Sequence, residues 1–333
     1  MTIIKGNAVD WLSLAERVTQ GYEVGKEEAQ RIMRASNDEL LQVMQAAFHI
    51  RKTYFGTKVK LNMIVNAKSG LCPEDCGYCS QSIISEAPID KYAWLTKDKI
   101  LEGARESIRR KAGTYCIVAS GRRPTHREIA HVVEAVKEIR ATTDLKVCCC
   151  LGFLSEEHAR QLAEAGVHRY NHNLNTSKDN YGRITTTHTY DDRVETVKEA
   201  AASGMSPCSG AIFGMGETEE EQVEIAFELK RLGADSIPCN FLNPIDGTPL
   251  EGRRELTPVK ALKILAMMRF VNPDKEIRIA GGREVNLRSL QPLGLYAANS
   301  IFIGDYLTTA GQDQHADWQM IEDLGFEIEE CAL

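Results

Sequence analysis

From residue 60 onward, short apolar or alternating runs take turns with longer stretches of helical period. The runs Lys60–Asn66, Thr114–Ala119, Leu145–Leu151 and Val167–His172 predict strands, as do Ser206–Phe213, Asp235–Leu242, Glu276–Ala280 and Ser300–Ile303. The stretches between them have readable helix ends. Thr125 with Glu128, and Thr218 with Glu221, have the spacing at which a hydroxyl and a carboxylate each satisfy a free amide at a helix start. Thr257 before Pro258 reads as an N-cap followed by a first-turn proline. Gly166, Gly204 and Gly233 stand where helices should stop. This alternation predicts an α/β chain folded as a closed parallel (β/α)8 barrel of the TIM type rather than an open sheet. The eighth repeat is irregular, so an incomplete barrel is the alternative. Residues 1–59 read as a helical extension packed on the bottom or side of a barrel formed by residues 60–333. The pattern is clearest over Asn37–Phe55, where Leu40, Met44, Ala47, Phe48 and Arg51 recur at helical spacing.

Composition narrows the function classes. At 43% hydrophobic the chain is too apolar for disorder and can fill a large core. Forty Lys and Arg against 47 Asp and Glu give a formal charge of −7, which leaves no basic surplus for nucleic-acid binding. The first residues lack the charged, apolar and small-residue succession of a secretory signal. The best apolar run, Leu293–Ile303, is too short to span a bilayer and contains Asn299 and Ser300. The expectation is a cytoplasmic protein with no membrane contact. Its ten cysteines are then reduced thiols that serve as core residues, metal ligands or catalytic groups.

The strongest chemical signal is Cys72-Pro73-Glu74-Asp75-Cys76-Gly77-Tyr78-Cys79, directly after the first strand. Gaps of three and two residues let one loop gather three thiolates, with Pro73 and Gly77 supplying turns. A structural zinc ion wants four closed ligands, and no fourth Cys or His lies nearby. A [4Fe-4S] cluster on three cysteines keeps one iron open to a small molecule. A zinc site completed by a distant ligand is the other reading.

Three cysteines at this spacing, with an aromatic residue before the last, resemble the radical S-adenosylmethionine superfamily. That resemblance implies that the open iron binds the amino and carboxylate groups of S-adenosylmethionine. It also implies that an electron from the cluster splits the sulfonium to methionine and a 5′-deoxyadenosyl radical, with Tyr78 near the adenine.

A second group is spread over three strands: Cys116, Cys148 and Cys208. Period-two alternation turns Val147, Cys149 and Leu151 toward the helices and Cys148 and Cys150 inward. By the same logic Ile277 and Ile279 face the helices and Arg278 enters the barrel. Thiols and a guanidinium are costly where Val, Ile and Leu normally pack, so the interior reads as a site. Taken alone, Arg278 would pair with a carboxylate such as Glu217, and Cys239 and Cys331 read as core residues. Taken together, three strand cysteines and an arginine resemble the biotin synthase family, where such a set holds a [2Fe-2S] cluster. The segments YNHNLNTS (170–177), CSGAIFGMGET (208–218), DGTPL (246–250), IRIAGGRE (277–284) and ANSIFIGDYLTT (298–309) carry the same resemblance, from about residue 10 to residue 326. Cys148 occupies the family's ligand position; Cys149 and Cys150 are additional to the family pattern, and Cys150 shares the inward face.

The resemblance implies Asn173, Asn175 and Arg193 as contacts to S-adenosylmethionine, and Asn171 and Asn240 on the substrate side. It implies radical insertion of sulfur into dethiobiotin, an electron donor of the reduced flavodoxin or ferredoxin type, and a homodimer. His168 and His172 read as structural. Related scaffolds that make lipoyl groups or hydrogenase cofactors are the alternatives, and a non-catalytic iron–sulfur protein is a third. Lipoyl synthases carry a further cysteine motif near the N-terminus, and residues 1–71 contain no cysteine.

Overall fold

The computed structural model describes residues 9–329. Its strands are β1 (Lys58–Lys68), β2 (Thr114–Ala119), β3 (Lys146–Cys150), β4 (Arg169–Asn171) and β5 (Ser206–Cys208), then β6 (Ala211–Phe213), β7 (Ser236–Phe241), β8 (Glu276–Ile279), β9 (Ser300–Phe302) and β10 (Glu327–Ile328). Parallel pairing runs β1-β2-β3-β4-β5-β7-β8-β9, and β9 returns to β1 through Lys60↔Ser300 and Asn62↔Phe302. The barrel is closed despite the irregular eighth repeat.

The run expected as one strand over 206–213 is two. The pairs Cys208↔Ser236 and Ala211↔Cys239 keep one register, so β5 and β6 are halves of a single stave interrupted at Ser209 and Gly210. Opposite the break stands Pro238, which has no N–H to give to a ladder. The two backbones approach so closely there that a Cβ on Gly210 would lie 2.0 Å from the Pro238 oxygen. Asn175 fills the gap from the other side. Its N–H reaches the Gly210 carbonyl at 3.1 Å, and its own carbonyl accepts from Ile212 N at 2.7 Å. It does so at φ +70°, a conformation that asparagine tolerates better than most residues.

The helix signals hold. Both capping boxes form, Thr257 accepts from Lys260 N, and Gly166, Gly204 and Gly233 all take positive φ. The N-terminal helices Trp11–Thr19, Lys26–Arg34 and Leu40–Phe55 lie on the side of the barrel, with the last two against helix Pro258–Val271. That helix is covered on both faces, so every residue from Ala261 to Val271 is buried. Arg51 ties the extension to the strand N-termini through the carbonyls of Ala298, Gly56 and Lys58. β10 adds to the start of β1 by Lys58↔Glu327. Among the described residues no helix is long and apolar enough to cross a membrane. Cys239 sits in the apolar layer between strands and helices as expected; Cys331 lies outside the described residues.

Candidate functional site

A cavity of about 390 Å³ occupies the barrel, and its wall includes the loops after β1, β2, β3, β7 and β9. This is the C-terminal end of the strands, where barrels of this kind place their chemistry. Cys72, Cys76 and Cys79 line its mouth. Their loop is fastened by the segment around Thr185. Gly77 N donates to the Ile184 carbonyl at 2.9 Å, and Asp75 accepts from Thr185 Oγ1 at 2.6 Å and from Thr186 N at 2.9 Å. Burial opposes the charge on Asp75, but the threonine hydroxyls and amides outweigh it and hold this carboxyl below its ordinary range. Glu74 accepts from Thr187 Oγ1 at 2.6 Å and from Arg122 Nη1 at 3.2 Å. Burial raises the thiols of all three cysteines, Cys79 to about 12.

Behind the loop, Tyr78 and Asn175 are joined by a 2.5 Å bond from Asn175 Nδ2 to the phenol oxygen. Arg193 projects from helix Tyr190–Ala202. It donates Nε to Tyr181 Oη at 2.5 Å, Nη1 to the Asn173 carbonyl at 3.0 Å and Nη2 to His188 Nε2 at 2.9 Å. A guanidinium only donates, so His188 accepts at Nε2 and carries its proton on Nδ1, which donates to Glu74 at 2.5 Å. Burial, and then the Arg193 charge, lower the His188 pKa and keep the ring neutral. No carboxylate contacts Arg193 directly among the described residues, so its charge faces the cavity uncompensated.

Deeper in the barrel, the register of β2 with β3 sets Cys116 beside Cys148, and β4 with β5 sets Asn171 beside Cys208. Cys148 lies against both other thiols. The Cys116 thiol and burial push it well above its ordinary value, while the Arg278 charge pulls it down. Asn171 Nδ2 donates to Asn173 Oδ1 at 3.1 Å and to Cys208 Sγ at 3.2 Å. The parity of β3 is as expected. Cys148 and Cys150 line the cavity, and Cys149 packs among Ile129, Val132 and Leu162.

Arg278 enters the interior, but its partner is not Glu217. That residue is used by its own turn, where it accepts from Gly214 N at 2.6 Å and Met215 N at 2.8 Å. Arg278 pairs instead with Glu276, two residues back on the same strand face, at 2.5 Å from Nη2. Nη2 also reaches Ser236 Oγ at 2.9 Å, and Nε reaches Ser300 Oγ at 3.3 Å. Glu276 is held in turn by Arg169 Nη1 at 2.7 Å and Lys60 Nζ at 3.5 Å. Two buried guanidiniums thus share one buried carboxylate beneath three thiols, which leaves a positive charge for thiolates to balance.

Asn240 borders the cavity with both ends of its amide bonded to backbone, Nδ2 to Ala211 O at 3.1 Å and Oδ1 to Gly281 N at 3.0 Å. His172, expected to be structural, also borders the cavity, and its buried Nε2 has no partner. Residues missed from sequence are Glu74, Tyr181, His188, Arg169 and Glu276. A charged residue inside the cysteine motif and another at an inward strand position were the signals available.

A family model described as the radical SAM superfamily matches residues 68–229, and one described as the biotin and thiamin synthesis associated domain matches residues 238–327. The chain is 72% identical over 325 residues to a biotin synthase of Bacillus cytotoxicus, with 98% of each chain covered. It is 73% identical over 324 residues to one of Bacillus thuringiensis (strain Al Hakam), with 97% of this chain and 98% of that one covered. Among solved structures it is similar to methylornithine synthase (PylB), with TM-score 0.82 and 19% identity over 95% of this chain and 97% of that one. It is also similar to the [FeFe]-hydrogenase maturase HydG, with TM-score 0.81 and 16% identity over 97% of this chain and 76% of that one. The last two likenesses concern the fold alone.

Proposed function

The chain belongs to the biotin synthase family of radical SAM enzymes, and on that footing we propose how its own residues divide the work of inserting sulfur into dethiobiotin. Cys72, Cys76 and Cys79 hold a [4Fe-4S] cluster, and Cys116, Cys148, Cys208 and Arg278 hold a [2Fe-2S] cluster. The donor chemistry fits. Each set offers three thiols reached from the same cavity; Arg193 stands at the outer set with no carboxylate in contact, and Arg278 can serve the inner set as a ligand once its guanidinium gives up a proton. When bound, such groups supply one-electron reduction of the sulfonium of S-adenosylmethionine and a sulfide for the new carbon–sulfur bonds.

The protein's part is placement. Arg193 offers a fixed positive charge to a carboxylate at the cavity mouth, and His188 and Tyr181 keep its fork from turning. Tyr78 and Asn175, locked to each other, form a wall for an adenosyl group. Asn173 adds an amide on the same side, while Asn171 and Asn240 sit further in, toward the substrate. Neither C–H bond of dethiobiotin that reacts is acidic, so no side chain here acts as a general base. The cavity walls instead align the reacting atoms and exclude water. A donor of the flavodoxin or ferredoxin type delivers electrons at the cysteine loop, whose outer side exposes Leu71, Ile83 and Ile84.

One observation carries this reading: the mouth thiols Cys72, Cys76 and Cys79 and the inner thiols Cys116 and Cys148, the last in contact with Cys208, share a single cavity. Anaerobic incubation with dethiobiotin, S-adenosylmethionine and a reductant should yield biotin, methionine and 5′-deoxyadenosine, and Cys76→Ala should stop all three. Cleavage of S-adenosylmethionine with no biotin formed from the fully loaded protein would refute the assignment.

A further inference from the structure

We propose that Glu276 is a positioning residue for the inner thiol site, holding the Arg278 fork so that Nη1 is the nitrogen turned toward Cys116, Cys148 and Cys208. The inference rests on the reading of those cysteines as cluster ligands. Glu276 and Arg278 are two apart on β8, so both point inward, with the carboxylate one layer nearer the barrel floor. Arginine on its flexible stem could present either edge of its fork to the thiols. Here one edge is committed, with Nε on Ser300 and Nη2 on Ser236 and Glu276. Among the described residues Nη1 has no hydrogen-bond partner, and Arg278 borders the cavity. Phe302 lies 4.9 Å from the guanidinium carbon and covers its face.

The carboxylate is itself fixed by three other strands before it touches Arg278. Lys60 of β1 and Arg169 of β4 approach Oε2, and Ser236 of β7 donates to Oε1 at 3.1 Å. A carboxylate gripped this way transmits the barrel's rigidity to a side chain that would otherwise swing. Partners one step removed from a metal site typically govern metal retention by about 10–100-fold.

The test uses the full chain reconstituted anaerobically with iron and sulfide. The readouts are visible absorption, iron content and the rate of bleaching under a chelator, with urea unfolding of the apo chain alongside. Glu276→Gln strands two guanidiniums, so the decisive variant is Glu276→Gln combined with Arg169→Met, which removes one charge of each sign. It should fold and keep the cluster at Cys72, Cys76 and Cys79, but show an altered inner-site spectrum and lose that cluster about tenfold faster. Arg169→Met alone leaves Lys60, Ser236 and Arg278 on the carboxylate and should change the spectrum and retention less than the double variant does. If the double variant does not fold, Glu276→Asp gives the same readout, because it keeps the charge but draws the carboxylate back by one methylene. Parental spectrum and retention in a folded Glu276 variant would overturn the proposal. Absence of any Cys208-dependent absorption in the parent protein would overturn the cluster reading, and Glu276's role with it.

Discussion

Gly210→Ala should be among the most damaging single-methyl additions in this chain. The added Cβ would sit 2.0 Å from the Pro238 oxygen, whereas ordinary contact begins at 3.4 Å, so the two staves must part by more than an ångström. Neither side can yield cheaply, since the obstructing atoms are backbone in a closed barrel. Overpacking of this kind costs about 1–3 kcal/mol. The flanking bonds, Ser209 N to Ser236 O at 3.0 Å and Asn175 N to Gly210 O at 3.1 Å, are stretched with it, adding about 1 kcal/mol each. Together these give about 3–5 kcal/mol, or a drop in Tm of about 4–7 °C for a chain of this size. Gly204→Ala is the control. It has positive φ but nothing within 4 Å of its Cβ, so it should cost about 1 kcal/mol from strain alone. Thermal unfolding of the apo chains measures both. Because Cys208 and Asn175 flank the break, Gly210→Ala should also lower the iron retained at the inner site. If Gly210→Ala melts with the parent, or above Gly204→Ala, the close approach of Gly210 to Pro238 is not what divides the stave.

Three further outcomes follow from the geometry. Cys148→Ala should remove inner-site absorption and biotin formation, while Cys149→Ala, in an apolar layer, should cost only about 1–2 kcal/mol of stability in urea unfolding; the reverse order of effects on biotin formation would contradict the parity of β3. Arg278→Met should fold, since Glu276 keeps Arg169 and Lys60, and should bind an inner cluster with a changed spectrum; unfolding with loss of both clusters would make Arg278 a structural ion-pair partner. His172 and His188 are held neutral by burial, with pKa values below the ordinary one. Below about pH 6.5 the unfolded chain therefore takes up protons that the folded chain refuses. Stability should fall on acidification by up to about 1.4 kcal/mol per pH unit for His172, whose pKa is pushed well below the ordinary value, and by no more than that for His188; flat urea midpoints between pH 7 and pH 5.5 would exclude this.

What could be read in the sequence was what is set locally. The capping boxes at Thr125 and Thr218 are local, and so is the alternation along β3 that turns Cys148 inward and Cys149 outward. The broken stave was half legible. Pro238 announces a missing donor, but the need for Gly210 depends on a register between segments nearly thirty residues apart. The partner of Arg278 was misjudged because Glu217 belongs to a glycine turn that binds it with its own amides. Glu276, two positions away on the same strand, reads from sequence as the ordinary polar start of a strand. The bond from His188 to Glu74 joins residues 114 apart, and no periodicity points to it. The helical extension was expected at the bottom or side of the barrel; it lies on the side, against helix Pro258–Val271, which is buried throughout from Ala261 to Val271.

The fastening of the cysteine loop has a kinetic meaning. Asp75 is gripped by three consecutive threonines, Glu74 by His188 and Arg122, and Gly77 by the Ile184 carbonyl, none of which needs iron. The loop's conformational entropy is therefore surrendered during folding, and the cluster proposed for it would find the thiols already in place. An oxidised, iron-stripped molecule would keep an intact socket and could be refilled repeatedly, with recovery limited by the supply of iron and sulfide rather than by refolding of the loop.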